Sequence, residues 1–167
     1  RDHARQALVF SRRLSSGLLA SFRTPEDWVF QIHPKANHAL WIAAHIGLVD
    51  NSITNRFRSD LTTKPEGWDA LFSFGSQPKA DASVYPSAEE VLAYYHDRRG
   101  VLMRVLEELS ERELRGPAPA ADERSPIAGA PSIGHIFIFA SQHEAMHSGQ
   151  LTIAHRALGH APLIQAG

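Results

Sequence analysis

Gln142-His143-Glu144-Ala145-Met146-His147-Ser148-Gly149-Gln150 lies in the middle of the last long apolar-periodic segment of the chain. On a helix, positions four apart share a face one turn apart, so His143 and His147 can turn two imidazoles toward one divalent ion. Outward from this stretch, the helical pattern extends from about Ser132 to Leu158. Gly159 is suited to the position just past a helix end, and Pro162 follows. The expected apolar stripe is Ile136, Phe139, Ala140, Met146, Ala154 and Leu158, with both histidines in its middle. Ala145, Ser148, Thr152 and Arg156 are expected to face away. The histidines then point into a bundle interior, which matters more than their spacing.

Three earlier segments also read as helices. The first runs from Asp2 to about Phe22 through Leu8, Val9, Leu14, Leu18 and Leu19, with Arg5, Arg12 and Arg13 between them. Thr24-Pro25-Glu26-Asp27 starts a short turn carrying Trp28, with Thr as cap, Pro first and acids in the first turn. The second long helix starts near Asn37 as N-cap and continues to about Phe57. On its wheel His38, Trp41, Ile42, His45, Val49 and Ser52 share a side, while Lys35, Asn51 and Asn55 fall elsewhere. The third begins at the capping box Ser87-Ala88-Glu89-Glu90 and ends near Leu109.

Two connections are long: residues 58–86, where Trp68, Leu71, Phe72 and Phe74 predict a short helical turn packed on the bundle, and residues 116–131. Four long helices with such connections predict an all-α single domain over residues 1–167. It is a four-helix bundle with long crossover loops rather than a plain up-down-up-down one.

Composition narrows the function classes. The 17 Lys and Arg nearly cancel the 18 Asp and Glu, so no basic surplus suggests a nucleic-acid partner. The apolar runs are interrupted too often for a membrane span, and the first residues show no apolar signal core, so a cytoplasmic protein is expected. The chain has no cysteine, which removes disulfides, thiolate nucleophiles and Cys-ligated zinc. Its ten histidines are therefore the available ligands for a transition metal.

A metal needs a third protein ligand, and His45, mid-helix on the apolar side of the second long helix, is the candidate. Three neutral imidazoles leave coordination positions open to water or substrate, which is the catalytic pattern rather than the closed structural one. Zinc suits the donor set first; nickel, iron and manganese are also compatible. A His pair four apart also arises by chance among ten histidines, and His45 could be a core histidine held by hydrogen bonds. His38, two turns before His45, is expected near the site as a residue assisting proton transfer. His135 reads as a helix-start residue. His3, His33, His96, His155 and His160 read as solvated.

His143-Glu144-Ala145-Met146-His147 also fits the H-E-x-x-H pattern of zinc peptidases, where the Glu is the general base. The longer pattern needs Gly at 150 and His at 153, and the chain has Gln150 and Ile153; the other class needs a later carboxylate, and none follows His147. Peptidase activity is not expected. Glu144 remains a candidate base if it leans toward the metal.

At these residues the sequence resembles the DinB family, the DinB/YfiT-like metalloenzymes. The resemblance rests on Asn37-His38-Ala39-Leu40-Trp41-Ile42-Ala43-Ala44-His45-Ile46, on Ile133-Gly134-His135-Ile136 leading into His143-Glu144-Ala145-Met146-His147-Ser148-Gly149-Gln150-Leu151, and on Leu158-Gly159. It implies an up-down-down-up bundle and a three-His site of His45, His143 and His147 with waters completing the shell. It further implies zinc or nickel as the ion and a tendency to form homodimers. Relatives that transfer low-molecular-weight thiols make a hydrolase or thiol S-transferase acting on a small molecule the expected activity. The alternative is a non-catalytic, dimerising bundle that binds a metal or ligand without turnover.

Overall fold

The computed structural model describes residues 1–121, 123, 125 and 127–163, and the capping signals become helix starts within it. The long helices are α1 (Asp2–Leu19), α3 (Ala39–Asn55), α5 (Ala88–Glu108) and α7 (Ile133–Ala157). Short ones lie between them: α2 (Pro25–Trp28), α4 (Trp68–Phe72) and α6 (Glu111–Arg115). Thr24 with Asp27 and Ser87 with Glu90 form the expected capping boxes. Ser110 with Glu113 forms a third and starts α6, a helix not anticipated although Ser110-x-x-Glu113 carries the same signature. Gly159 ends α7 with φ 87°, in the left-handed region that glycine enters without a Cβ penalty.

Side-chain pairings fix the helix directions. Ser11 and Ser15 meet Glu144, and Ser21 meets His155, so α1 and α7 run parallel. Gly47 lies against Tyr94 and, one turn further on, Asn51 meets Arg98, so α3 and α5 run parallel too. Asn37 meets Gln150 while Phe57 stacks on Phe137, so α3 runs against α7. Leu8 meets Arg99 and Ser15 meets Tyr95, so α1 runs against α5. This is the up-down-down-up bundle. Its parallel pair α3 and α5 requires the chain to return over residues 56–87. That return carries α4 and two 3-10 turns, Ser59–Leu61 and Ala82–Val84, across the face of the bundle.

The core has two apolar ends. Leu18, Phe22, Trp41, Phe72 and Tyr95 belong to one; Leu8, Ile53, Leu102, Ile136 and Phe137 belong to the other. Between them lies a charged layer of Arg12, Asp50, Arg99 and Glu144. Asp50 takes Arg99 Nε at 2.8 Å and Arg12 Nη2 at 3.0 Å; Glu144 takes Arg99 Nη1 and Arg12 Nε, each at 2.8 Å. Two cations and two carboxylates cancel, and their mutual contacts offset a desolvation cost that would be prohibitive for any one alone. Among the described residues no helix is long and apolar enough to cross a membrane.

The charged layer also explains where the apolar-stripe reading of α7 went astray. Met146 is 57% exposed and Ser148 is buried: the interior face runs through Ser141, Glu144 and Ser148, with Glu144 in the charged layer and the two hydroxyls bonded back to carbonyls of α7 itself. On α3 the N-cap is His38 rather than Asn37, its Nδ1 accepting from Trp41 N at 3.1 Å. Asn51, expected on the polar side, is buried because its Oδ1 accepts from Arg98 and from Thr63 N. In the return segment Trp68 and Phe72 pack inward as expected, but Phe74 stands 97% exposed. His155, expected to be solvated, is buried with Nε2 3.0 Å from Ser21 Oγ.

Candidate metal centre

His45 on α3 and His143 and His147 on α7 converge: each offers a ring nitrogen, and those atoms all lie within 4.8 Å of one another. Ring centroids are 5.1 Å apart from His45 to either partner and 4.6 Å between His143 and His147. Helix geometry accounts for the pair on α7, since four residues make just over one turn. The antiparallel crossing of α3 and α7 brings in the third ring. His45 and His147 are buried and His143 is half-buried at the edge of the interior face.

Neighbouring groups aim the rings. His45 Nδ1 donates to the Phe72 carbonyl of α4 at 2.8 Å, which leaves Nε2 as a lone pair. His147 Nδ1 donates to Gln150 Oε1 at 3.1 Å, and Asn37 Nδ2 donates to the same oxygen at 3.2 Å. Trp41 stacks on His45 with centroids 4.4 Å apart and rings 15° from parallel; its indole Nε1 donates to Ser76 Oγ at 2.8 Å. A metal-ligating histidine ordinarily has its second nitrogen held in this way.

The donor set fits a cation. His147 Nε2 lies 3.2 Å from His143 Nε2, and the Gln150 bond has already placed His147's proton on Nδ1. A lone pair therefore faces the neighbouring ring. Burial, followed by the neighbouring imidazoles, pushes His143 down to about 3 and His147 to about 4, and burial lowers His45. All three rings are thus neutral at pH 7, the form that binds a metal. The cluster is suited to a divalent metal site.

All three rings line a cleft of ≈ 1250 Å³ along α3 and α7, with Trp41, Phe139 and Met146 among its apolar walls. The proton-transfer candidates do not line it. Glu144 is fully buried, and its Oε1 accepts from Ser15 Oγ at 2.6 Å and Tyr95 OH at 3.0 Å. Its Oε2 accepts from Ser11 Oγ at 2.9 Å. Burial alone would raise this carboxyl, but Arg12 and Arg99 hold it below the usual glutamate range. His38 is fully buried beside Tyr85, with ring centroids 5.0 Å apart, and burial pushes it down to about 4. The residues the sequence reading missed are those that hold the rings, Gln150, Asn37 and the Phe72 carbonyl, and the Arg12–Arg99 pair that holds Glu144 away from them. The Gln in His147-Ser148-Gly149-Gln150, three residues after a ligand candidate, was a readable signal; the Phe72 contact had none.

A helical bundle with three inward imidazoles at the floor of a cleft defines a class of metal-site proteins. A profile of the DinB superfamily matches residues 7–151, and the chain belongs to that superfamily. The fold also resembles a crystal structure described as a conserved protein from Enterococcus faecalis, with TM-score 0.65, 16% identity, and coverage of 93% of this chain and 94% of that one. No curated protein matches.

Proposed function

We propose that this chain is a metal-dependent enzyme in which His45, His143 and His147 hold a divalent ion, zinc or nickel, at the floor of the cleft. The observation that carries this reading is the convergence of three neutral, buried or half-buried imidazoles with no carboxylate among them. A divalent ion there supplies Lewis-acid activation to a small-molecule nucleophile, either water for a hydrolase or a low-molecular-weight thiol for an S-transferase. Trp41, Phe139 and Met146 exclude water from one side of the substrate. We assign Glu144 and His38 to positioning rather than proton transfer, because neither side chain reaches the cleft. The commitment of Glu144 to two arginines also argues against peptidase chemistry, which needs that carboxylate at the metal.

Phe10 on α1 and Ile153 on α7, both exposed on helices that pack side by side, supply apolar surface for a second copy, in keeping with a homodimer. The cysteine-free composition fits a cytoplasmic setting. The test is elemental analysis of tag-free protein. We expect one equivalent of zinc or nickel, lost in His147→Ala; an unchanged metal content in that variant overturns the assignment. Turnover of a thiol-plus-electrophile panel, set against hydrolysable esters and amides, then separates transferase from hydrolase.

A further inference from the structure

We propose that the cleft takes an elongated, amphipathic small molecule whose far end is an anion paired with Arg56. This deepens the metal-site reading and rests on it. His45, Val49, Ser52 and Arg56 follow one another at spacings of four, three and four residues, so they share one face of α3, and all four line the cleft. Eleven residues separate His45 from the C-cap Arg56, roughly 16 Å along the helix axis. Between them Val49 and Ile53, with Phe139 across the cleft, provide an apolar run.

The charges lining this channel point the same way. Among the described cleft residues the one acid is Asp69, and Lys64 is bound to it in a salt bridge. Arg56 has no such partner among the described residues; its guanidinium donates to the Ala120 carbonyl at 3.4 Å. Three neutral imidazoles leave a bound divalent ion's full charge uncompensated, so both ends of the channel favour negative charge, and guanidinium suits a carboxylate or phosphate in particular. A cation at a helix C-terminus also suits the helix dipole, a purely structural role that would leave ligand choice unaffected.

The experiment loads tag-free protein with cobalt(II) and titrates it with decanoate and with decanedioate, following the cobalt visible spectrum and the heat of binding. Both probes present a carboxylate to the metal and the same methylene run; only decanedioate carries a second anion. We expect decanedioate to bind at least tenfold tighter than decanoate. Arg56→Gln should remove that preference while leaving decanoate affinity and cobalt stoichiometry unchanged. Equal binding of the two probes to the wild type, or a preference that survives in Arg56→Gln, overturns the inference while the metal site stands. A wild type that holds no cobalt overturns the metal reading and this inference with it.

Discussion

Gln150 Oε1 lies 3.1 Å from Nδ1 of His147, so the proton of that ring is held on the side away from the cluster. Asn37, just ahead of the N-cap of α3, donates to the same oxygen and fixes the amide in turn. Replacing Gln150 by Leu frees the ring to rotate and to change tautomer. Loss of such a partner typically weakens metal binding 10- to 100-fold. We expect a drop of about that size in Gln150→Leu, and a smaller one in Asn37→Ala, in titrations against a competing chelator dye, with helical content unchanged. Wild-type affinity in Gln150→Leu would show that the amide does not orient the ligand.

Glu144 supports the fold through the charged layer. Glu144→Gln leaves Arg12 and Arg99 facing a neutral amide in a buried site, and removing one partner from such a set costs about 3–5 kcal/mol. Urea denaturation should show a loss of that order. Metal stoichiometry in the folded fraction should stay at the wild-type level, because the carboxylate does not face the imidazoles. A variant with wild-type stability and abolished turnover would instead favour a catalytic Glu144.

His38 makes the metal-free protein acid-sensitive. Burial pushes it from an ordinary 6.5 down to about 4, so the folded state resists a proton that the unfolded chain accepts. Its contribution is fully present above about pH 6.5 and is lost as the pH falls toward 4. Between pH 7.5 and 4.5 the loss is on the order of 2–3 kcal/mol. His38→Asn keeps an N-cap acceptor and has no titrating ring, so its stability should fall less over the same range in chelator-treated protein. Parallel pH curves for the two proteins would remove His38 from this account.

Gly47 lets α3 and α5 approach closely. A Cβ there would lie 2.8 Å from Tyr94 Cδ1 and 3.4 Å from the Tyr95 backbone. The Tyr94 ring is itself confined against Trp68, with centroids 4.9 Å apart. Gly47→Ala should therefore destabilise despite alanine's better helix propensity, by about 1–3 kcal/mol in thermal or urea unfolding. A stabilised variant would mean that Tyr94 can move aside.

Much of this molecule could be read from local signals. Capping boxes and apolar spacing located the long helices within a few residues, and the His pair on α7 with His45 on α3 did come together. The readings that failed share one cause. Arg12, Asp50, Arg99 and Glu144 look like surface residues one at a time; only their pairing across the four long helices lets them be buried, and no local pattern encodes that pairing. With Glu144 in that layer, the inward face of α7 passes through Ser148, one turn on, and leaves Met146 outside, so the expected stripe is rotated. His155 was misassigned because its hydroxyl partner, Ser21, lies at the far end of the chain.

The routing of the chain bears on how such a site could diversify. Because α3 and α5 point the same way, the link between them must travel back along a helix of 17 residues, about 26 Å. In doing so it delivers the Phe72 carbonyl to His45. This strap contributes the Lys64, Ser73 and Phe74 rim of the cleft while leaving the charged layer untouched. Trp68, Phe72 and the Leu61–Thr63 backbone tie the strap to the scaffold, whereas its exposed positions such as Lys64 and Phe74 can vary with little strain, so one bundle can be refitted to new substrates by rewriting the rim of a single connection.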